Sequence, residues 1–164
     1  MSIKIGLLGF GTVASGIPFL LKENGEKVLA ASRDQLEIAK VLVKDDEEKN
    51  RLIAAGNDYN FVTNVDEILN DDEIQIVVEL MGRIEPARTF ITKALEAGKN
   101  VVSANKDLIA THGKNLRVFS IHLRLNNVRL YLLHNITELS NHIPLMFLLI
   151  NTSRRCHPMI YFLI

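Results

Sequence analysis

Cysteine is almost absent from this chain, since Cys156 is the only one among 164 residues, and an internal disulfide is therefore excluded. Net charge is absent too, because 19 basic residues balance 19 acidic ones. A neutral chain has no overall electrostatic attraction to nucleic acid or to an anionic membrane surface. We expect neither as a partner, and a small molecule instead.

Long hydrophobic runs and a secretory leader are also missing. The longest strongly apolar stretch near the end, residues 143–150 (IPLMFLLI), is far shorter than the roughly 20 residues that a membrane helix needs. The opening Met-Ser-Ile-Lys-Ile has no basic segment followed by an apolar one and a small-residue cleavage site. We therefore expect no membrane span and a cytoplasmic location.

Glycine is lacking only from the last 50 residues. Residues 1–114 contain all nine glycines and 18 acidic against 14 basic side chains, whereas residues 115–164 contain no Gly, Ala, Lys or Asp. Ordinary usage of about 7% glycine would place roughly three or four there. We predict one domain over 1–114 and a tail of different character over 115–164. The four histidines of that tail are too widely spaced for a metal-ligand motif, so no metal site is expected.

Apolar runs alternate with helical patterns through the first part of the chain. Residues 3–8, 38–43, 59–63, 74–80 and 101–103 are predicted strands, and residues 12–22, 45–55, 66–70 and 86–97 are predicted helices. This alternation indicates right-handed crossovers and a parallel sheet with helices on both faces. Residues 116–136 follow neither the strand nor the helix period, and no element is assigned there.

A glycine motif stands between the first predicted strand and the first predicted helix. The spacing Gly9-x-Gly11-x-x-Ala14 is typical of dinucleotide binding in this context. Gly9 allows a tight turn, Gly11 lets the backbone approach a pyrophosphate, and Ala14 is small enough for helix and strand to pack closely. With the alternation it predicts an α/β fold, a Rossmann-type doubly wound parallel sheet. A plain glycine-rich bend is the alternative.

Lys44 and Asp45 end the second predicted strand, where a dinucleotide's ribose is recognised. An acid at this point accepts a hydrogen bond from the 2′-hydroxyl of NAD, whereas a cation favours the 2′-phosphate of NADP. Because Lys44 comes first, we favour NADP and leave NAD open. A solvated charge pair is the alternative.

Two further segments follow the fourth and fifth predicted strands, residues 79–87 (ELMGRIEPA) and 102–106 (VSANK). Open parallel sheets bind ligands at the carboxyl ends of their strands. A lysine there, Lys106, is able to donate a proton or a hydrogen bond to a carbonyl oxygen as hydride reaches the carbon. Taken alone, Lys106 also fits an ordinary surface lysine.

Three separated segments together resemble the amino-terminal cofactor domain of homoserine dehydrogenase: 6–16 (GLLGFGTVASG), 78–87 (VELMGRIEPA) and 101–114 (VVSANKDLIATHGK). Residues 38–45 (IAKVLVKD) resemble the second strand of that family, and the resemblance extends from residue 2 to about 114. It implies reversible reduction of aspartate 4-semialdehyde to homoserine with NADPH or NADH, on the shared route to threonine and methionine. Other Rossmann reductases, of the dihydrodipicolinate or inositol type, are disfavoured by the last two segments.

The resemblance also implies roles for individual residues. The pyrophosphate would lie along Phe10, Gly11, Thr12 and Val13, with Met81 and Ser103 near the ribose and nicotinamide, and Lys106 between cofactor and substrate. The chain departs from many family members at Ala14 and Arg83, where glycine is common.

Nothing after about residue 115 resembles the family's later half, which carries the substrate carboxylates, a second active-site lysine, a monovalent-cation site and the homodimer surface. Our hypothesis is that residues 115–164 arose by a change of reading frame or a truncation. The chain would then keep cofactor binding and lack the catalytic half that binds the amino-acid substrate. A non-catalytic dinucleotide-binding fragment and a divergent functional tail are the alternatives.

Overall fold

The computed structural model describes residues 2–32, 34–122 and 130–132, which form alternating strands and helices. In chain order these are β1 (Ser2–Leu8), α1 (Gly16–Glu23), α2 (Gly25–Ser32), β2 (Gln35–Leu42), α3 (Asp46–Ala54), β3 (Phe61–Val62), α4 (Asp66–Leu69), β4 (Ile74–Glu79), α5 (Ala87–Glu96), β5 (Asn100–Ser103), α6 (Lys106–His122) and β6 (Leu130–Leu132). The apolar stretch 143–150, Cys156 and the histidines beyond His122 lie outside the described residues.

The strands form one sheet in the order β3-β2-β1-β4-β5-β6, and every neighbouring pair is parallel. The predicted α/β, Rossmann-type doubly wound sheet is therefore confirmed. The chain builds outward from β1 on one side and then crosses to β4 on the other. Such a reversal leaves a crevice at the carboxyl ends of β1 and β4, where sheets of this kind hold ligands.

The central strands are apolar over most of their length because both faces of the sheet are covered. In β4, Ile76, Val77 and Val78 are each at most 3% exposed. One core cluster packs β1 against residues of α1 and α2, and the other packs the opposite face against α4, α5 and α6. Helices on both faces hold the carboxyl ends of the strands at one rigid edge.

A buried lysine fixes the amino end of β4. The Nζ of Lys99, which is 5% exposed, donates hydrogen bonds to the carbonyl oxygens of Asp71 at 2.7 Å and Ile74 at 2.8 Å. Burial lowers the pKa of this ammonium below its ordinary value of 10.5. The strand is thus anchored at the edge opposite the crevice.

Two elements differ from the sequence-based expectation. The helix predicted over residues 12–22 begins only at Gly16, after a turn over residues 11–15, and it is followed by α2, which was not predicted. Pro18 explains the later start, because a proline without an N–H is tolerated in the first turn of a helix and disrupts its interior.

The structure continues past the composition break at residue 115. Helix α6 runs to His122, and β6 pairs with β5 from Leu130 to Leu132, in a region to which no element was assigned. The break therefore lies inside a helix and does not mark the end of an element. Among the residues described, no helix is long and apolar enough to cross a membrane.

Candidate dinucleotide-binding site

The loop after β1 turns sharply at Gly9. Its φ of +94° lies in the region that favours glycine, and its N–H donates to the carbonyl of Leu42 at 3.0 Å. A Cβ added at Gly9 would lie 3.4 Å from Cγ of Met81. This turn therefore passes directly beside the loop that follows β4, as the crevice between β1 and β4 requires.

The next residues form a turn whose carbonyl groups are used and whose N–H groups are not. The carbonyls of Gly11, Val13 and Ala14 accept hydrogen bonds from the N–H groups of residues 15, 16 and 17, at 2.9, 3.2 and 3.1 Å. The four N–H groups of residues 11–14 have no acceptor within the described part of the chain. Unpaired N–H groups in a turn that leads into a helix favour an anion such as phosphate.

Gly11 leaves room for that anion. It is exposed, and a Cβ added there would meet no atom within 4 Å. Ala14, by contrast, is 1% exposed and belongs to the core beneath the turn. The residues of this loop therefore fit the pyrophosphate of a dinucleotide, with open space above Gly11 and tight packing below Ala14.

The side chain of Phe10 does not face this space. It is 7% exposed, and its ring centroid lies 5.4 Å from that of Phe61 and 5.7 Å from that of Tyr59. Phe10 can therefore meet a pyrophosphate only through its backbone, and its place along the pyrophosphate stays a prediction. Thr12 and Val13 are exposed, as a ligand-facing position requires.

Lys44 and Asp45 have different surroundings at the end of β2. Asp45 caps α3, with its Oδ1 accepting from the N–H of Glu48 at 2.9 Å, while Glu48 accepts from the N–H of Lys44 at 2.8 Å. The hydrogen bond from Glu48, and then the nearby Lys44 ammonium at 3.3 Å, hold the pKa of the Asp45 carboxyl below its ordinary 3.8. The Lys44 side chain is 86% exposed.

A buried carboxylate lies at the end of β4, and the sequence analysis predicted no role for it. Glu79 is 0% exposed, and its two oxygens accept from the N–H of Met81 at 2.7 Å and from the hydroxyl of Ser103 at 2.6 Å. Ser103 is itself 1% exposed, so its hydroxyl faces Glu79 rather than open space. The sequence feature that indicates such a buried carboxylate is an acidic residue directly after the apolar run of residues 74–78.

Asn105 continues these contacts to the next helix. Its side-chain N–H donates to the carbonyl of Arg83 at 2.6 Å, and its side-chain oxygen accepts from the N–H of Leu108 at 3.1 Å. Asn105 thereby joins the loop after β4 to the start of α6, whose first residue is the exposed Lys106.

All the predicted site residues lie at the carboxyl edge of the sheet. The strand order puts Lys44 on one side of the Gly9 to Ala14 loop and Met81, Ser103 and Lys106 on the other side. A parallel sheet in this order, with a glycine turn and unpaired N–H groups at the reversal, defines a Rossmann-type dinucleotide-binding domain.

The family follows from comparison with known proteins. The protein-family model of the homoserine dehydrogenase NAD-binding domain matches residues 9–132, and the chain therefore belongs to the homoserine dehydrogenase family. This match passes residue 114, where the resemblance read from the motifs ended.

Curated relatives have the same name. Homoserine dehydrogenase of Lactococcus lactis is 52% identical over 120 residues, which is 73% of this chain and 28% of the relative. That of Bacillus subtilis is 36% identical over 115 residues, 70% of this chain and 26% of the relative. The chain thus spans about a quarter of the length of the curated relatives it matches.

Solved structures agree with this assignment. A homoserine dehydrogenase crystal structure from S. aureus superposes with a TM-score of 0.68 at 37% identity, covering 80% of this chain and 32% of that one. The structure from Thiobacillus denitrificans gives a TM-score of 0.71 at 32% identity, with coverage of 80% and 29%.

Proposed function

We propose that this chain binds NADP at the crevice between β1 and β4, with NAD as the weaker cofactor, as the cofactor domain of a homoserine dehydrogenase-type oxidoreductase. The observation that carries the proposal is the row of four unpaired N–H groups at residues 11–14 beside the open space at Gly11. Family membership supports it, since the matched region is the family's NAD-binding domain.

Lys44 would recognise the adenosine end. Asp45 is engaged in capping α3, whereas Lys44 is 86% exposed and its ammonium has Asp45 as an ion-pair partner at 3.3 Å. An exposed cation at this position suits a 2′-phosphate better than a ribose hydroxyl. This contrast between the two side chains supports NADP over NAD.

Met81 and Lys106 would serve the nicotinamide end, on the other side of the glycine turn. In the family's reaction the bound cofactor would supply hydride to the carbonyl carbon of aspartate 4-semialdehyde, and homoserine would be the product. The ammonium of Lys106, at the exposed start of α6, would hold the carbonyl oxygen and deliver its proton. In the family this reaction leads to threonine and methionine.

We further propose that the 164-residue chain binds the cofactor without turning over substrate. Residues 115–164 contain one acidic residue, Glu138, and no lysine, so they cannot supply the carboxylates and second lysine that the resemblance implies. The division at residue 114 and the cytoplasmic location remain proposals of the same kind. A non-catalytic dinucleotide-binding module is the second candidate, favoured by the same composition.

Binding without turnover is tested on the purified chain with two assays. We expect NADPH to raise the melting temperature and its fluorescence to change on binding, because binding to the folded state alone stabilises it. We expect no change in absorbance of the reduced nicotinamide when homoserine and NADP are added. Steady oxidation of homoserine by the chain would contradict the proposal of lost turnover, and no response to NADPH or NADH would contradict cofactor binding.

Replacing Lys44 by alanine tests the choice of cofactor. We expect Lys44→Ala to weaken NADPH binding about ten-fold, which equals roughly 1.4 kcal/mol, and to leave NADH binding unchanged. The physical reason is that only NADPH carries the 2′-phosphate. The control is Lys27→Ala, which removes an exposed lysine from α2. Equal weakening of NADPH and NADH by Lys44→Ala would show that Lys44 does not read the 2′-phosphate.

A further inference from the structure

The Glu79 carboxylate is a buried charged group to which neither the family match nor the proposed chemistry assigns a role. Burying a carboxylate is costly unless hydrogen-bond donors meet it. The two donors that meet Glu79 belong to different segments, the N–H of Met81 after β4 and the hydroxyl of Ser103 at the end of β5. Glu79 therefore links two neighbouring loops at the edge that carries the site.

These contacts continue into a connected set. The Oγ of Ser103 also accepts from the N–H of Asn105 at 3.2 Å, and the Asn105 side chain donates back to the carbonyl of Arg83. The same asparagine accepts from the N–H of Leu108 and so fixes the first turn of α6. Loop 80–83 and the start of α6 are thus held to each other on both sides, through Glu79 and through Asn105.

We propose that Glu79 is a positioning residue for the nicotinamide end of the site. Its carboxylate sets the position of Met81 directly and that of Lys106 through Ser103 and Asn105, without touching the cofactor, since Glu79 is fully buried. This inference rests on the proposed function. In the described structure no hydrogen bond joins the side chains of Glu79, Ser103 and Asn105 to the loop over residues 9–15 or to the Lys44 side chain, and this loop meets their surroundings where Gly9 lies beside Met81. We therefore expect the adenosine end to depend on Glu79 far less than the nicotinamide end does.

Replacing Glu79 by glutamine tests the positioning role without changing the size of the side chain. Glu79→Gln keeps one oxygen for the N–H of Met81 but places an amide NH₂ against the hydroxyl of Ser103. The Ser103 oxygen has a second lone pair besides the one that Asn105 uses, so it would accept from the new amide while its own proton loses the carboxylate as acceptor. The link between the two loops would then be reversed in direction and weakened, while the shape of the core is kept.

A second variant breaks the other link and keeps the helix cap. Asn105→Asp retains an oxygen for the N–H of Leu108, and a carboxylate suits the first turn of a helix. It loses the N–H that donates to Arg83 and places an oxygen against that carbonyl. Asn105→Asp therefore detaches loop 80–83 without removing the cap of α6.

The experiment compares two ligands across four proteins: the wild type, the two variants and Glu96→Gln, which makes the same change at an exposed position of α5. The ligands are NADPH and 2′-phospho-ADP-ribose, which has the adenosine and diphosphate and lacks nicotinamide. We expect both site variants to bind NADPH about ten-fold more weakly, as a buried hydroxyl or carbonyl group left without its partner implies, and to bind 2′-phospho-ADP-ribose within about two-fold of wild type.

The outcomes separate this inference from the proposed function. A wild type that binds neither ligand would overturn the proposed function and this inference with it. A wild type that binds both, with site variants that bind NADPH equally well, would overturn the positioning role alone. Equal losses for the two ligands would also overturn it, because a merely structural defect weakens both. Thermal melts identify any variant that is unfolded. If one site variant is unfolded, NADPH binding by the other site variant tests the positioning role.

Discussion

Replacing Gly11 by aspartate is expected to weaken NADPH binding by roughly 100-fold or more, since bringing like charges together costs several kcal/mol. The new carboxylate would occupy the space in front of the unpaired N–H groups of residues 11–14, where the pyrophosphate is proposed to bind. Folding should be little affected, because a Cβ at Gly11 meets no atom within 4 Å. A fluorescence titration with NADPH, together with a thermal melt, measures both effects.

The matched control is aspartate at Gly25, the first residue of α2. A Cβ there also meets no atom within 4 Å, and an acidic residue suits the first turn of a helix. We expect Gly25→Asp to retain wild-type affinity and stability. If Gly11→Asp binds NADPH as tightly as Gly25→Asp does, the loop after β1 is not the phosphate cradle.

Truncating Phe10 to alanine is expected to lower the free energy of unfolding by about 3–5 kcal/mol. Its ring packs against Tyr59 and Phe61 in the core, and its removal leaves a cavity between them. This loss is a large share of the total stability of an ordinary domain. The folded fraction should still bind NADPH with nearly wild-type affinity, because the side chain faces away from the proposed ligand. Urea unfolding and a titration at low temperature measure the two quantities.

Phe19→Ala is the control for this loss. Phe19 lies on α1 with 64% of its surface exposed, so its truncation should change stability by no more than about 0.5 kcal/mol. A Phe10→Ala protein that is as stable as wild type and fails to bind NADPH would place the phenylalanine ring in the ligand site and refute its assignment to the core.

The sheet was predictable from the sequence because strands buried on both faces are mostly apolar, and this signal is local. The run over residues 74–80 became β4, and Pro86 and Gly98 bracket α5 as expected, with Gly98 at a φ of +77°. The glycine motif was informative for the same reason, since its meaning depends only on the strand before it and the helix after it.

The contacts of Glu79 were not predictable, because they depend on segments that are distant in the chain. The hydroxyl that meets Glu79 is 24 residues away, and only the parallel pairing of β4 with β5 brings the two together. The burial of Phe10 has the same origin, since its partners lie in and before β3. Helix α6 was not predicted, and its course past residue 115 runs through the composition change, which does not coincide with the end of the helix.

The most direct test of the proposed cofactor site is an amide-resolved NMR titration of the isotope-labelled chain with NADPH. We expect the amide protons of residues 11–14 to show the largest shifts, because these N–H groups would gain phosphate oxygens as acceptors. Binding that leaves these four amides unchanged while shifting signals elsewhere in the chain would contradict this expectation.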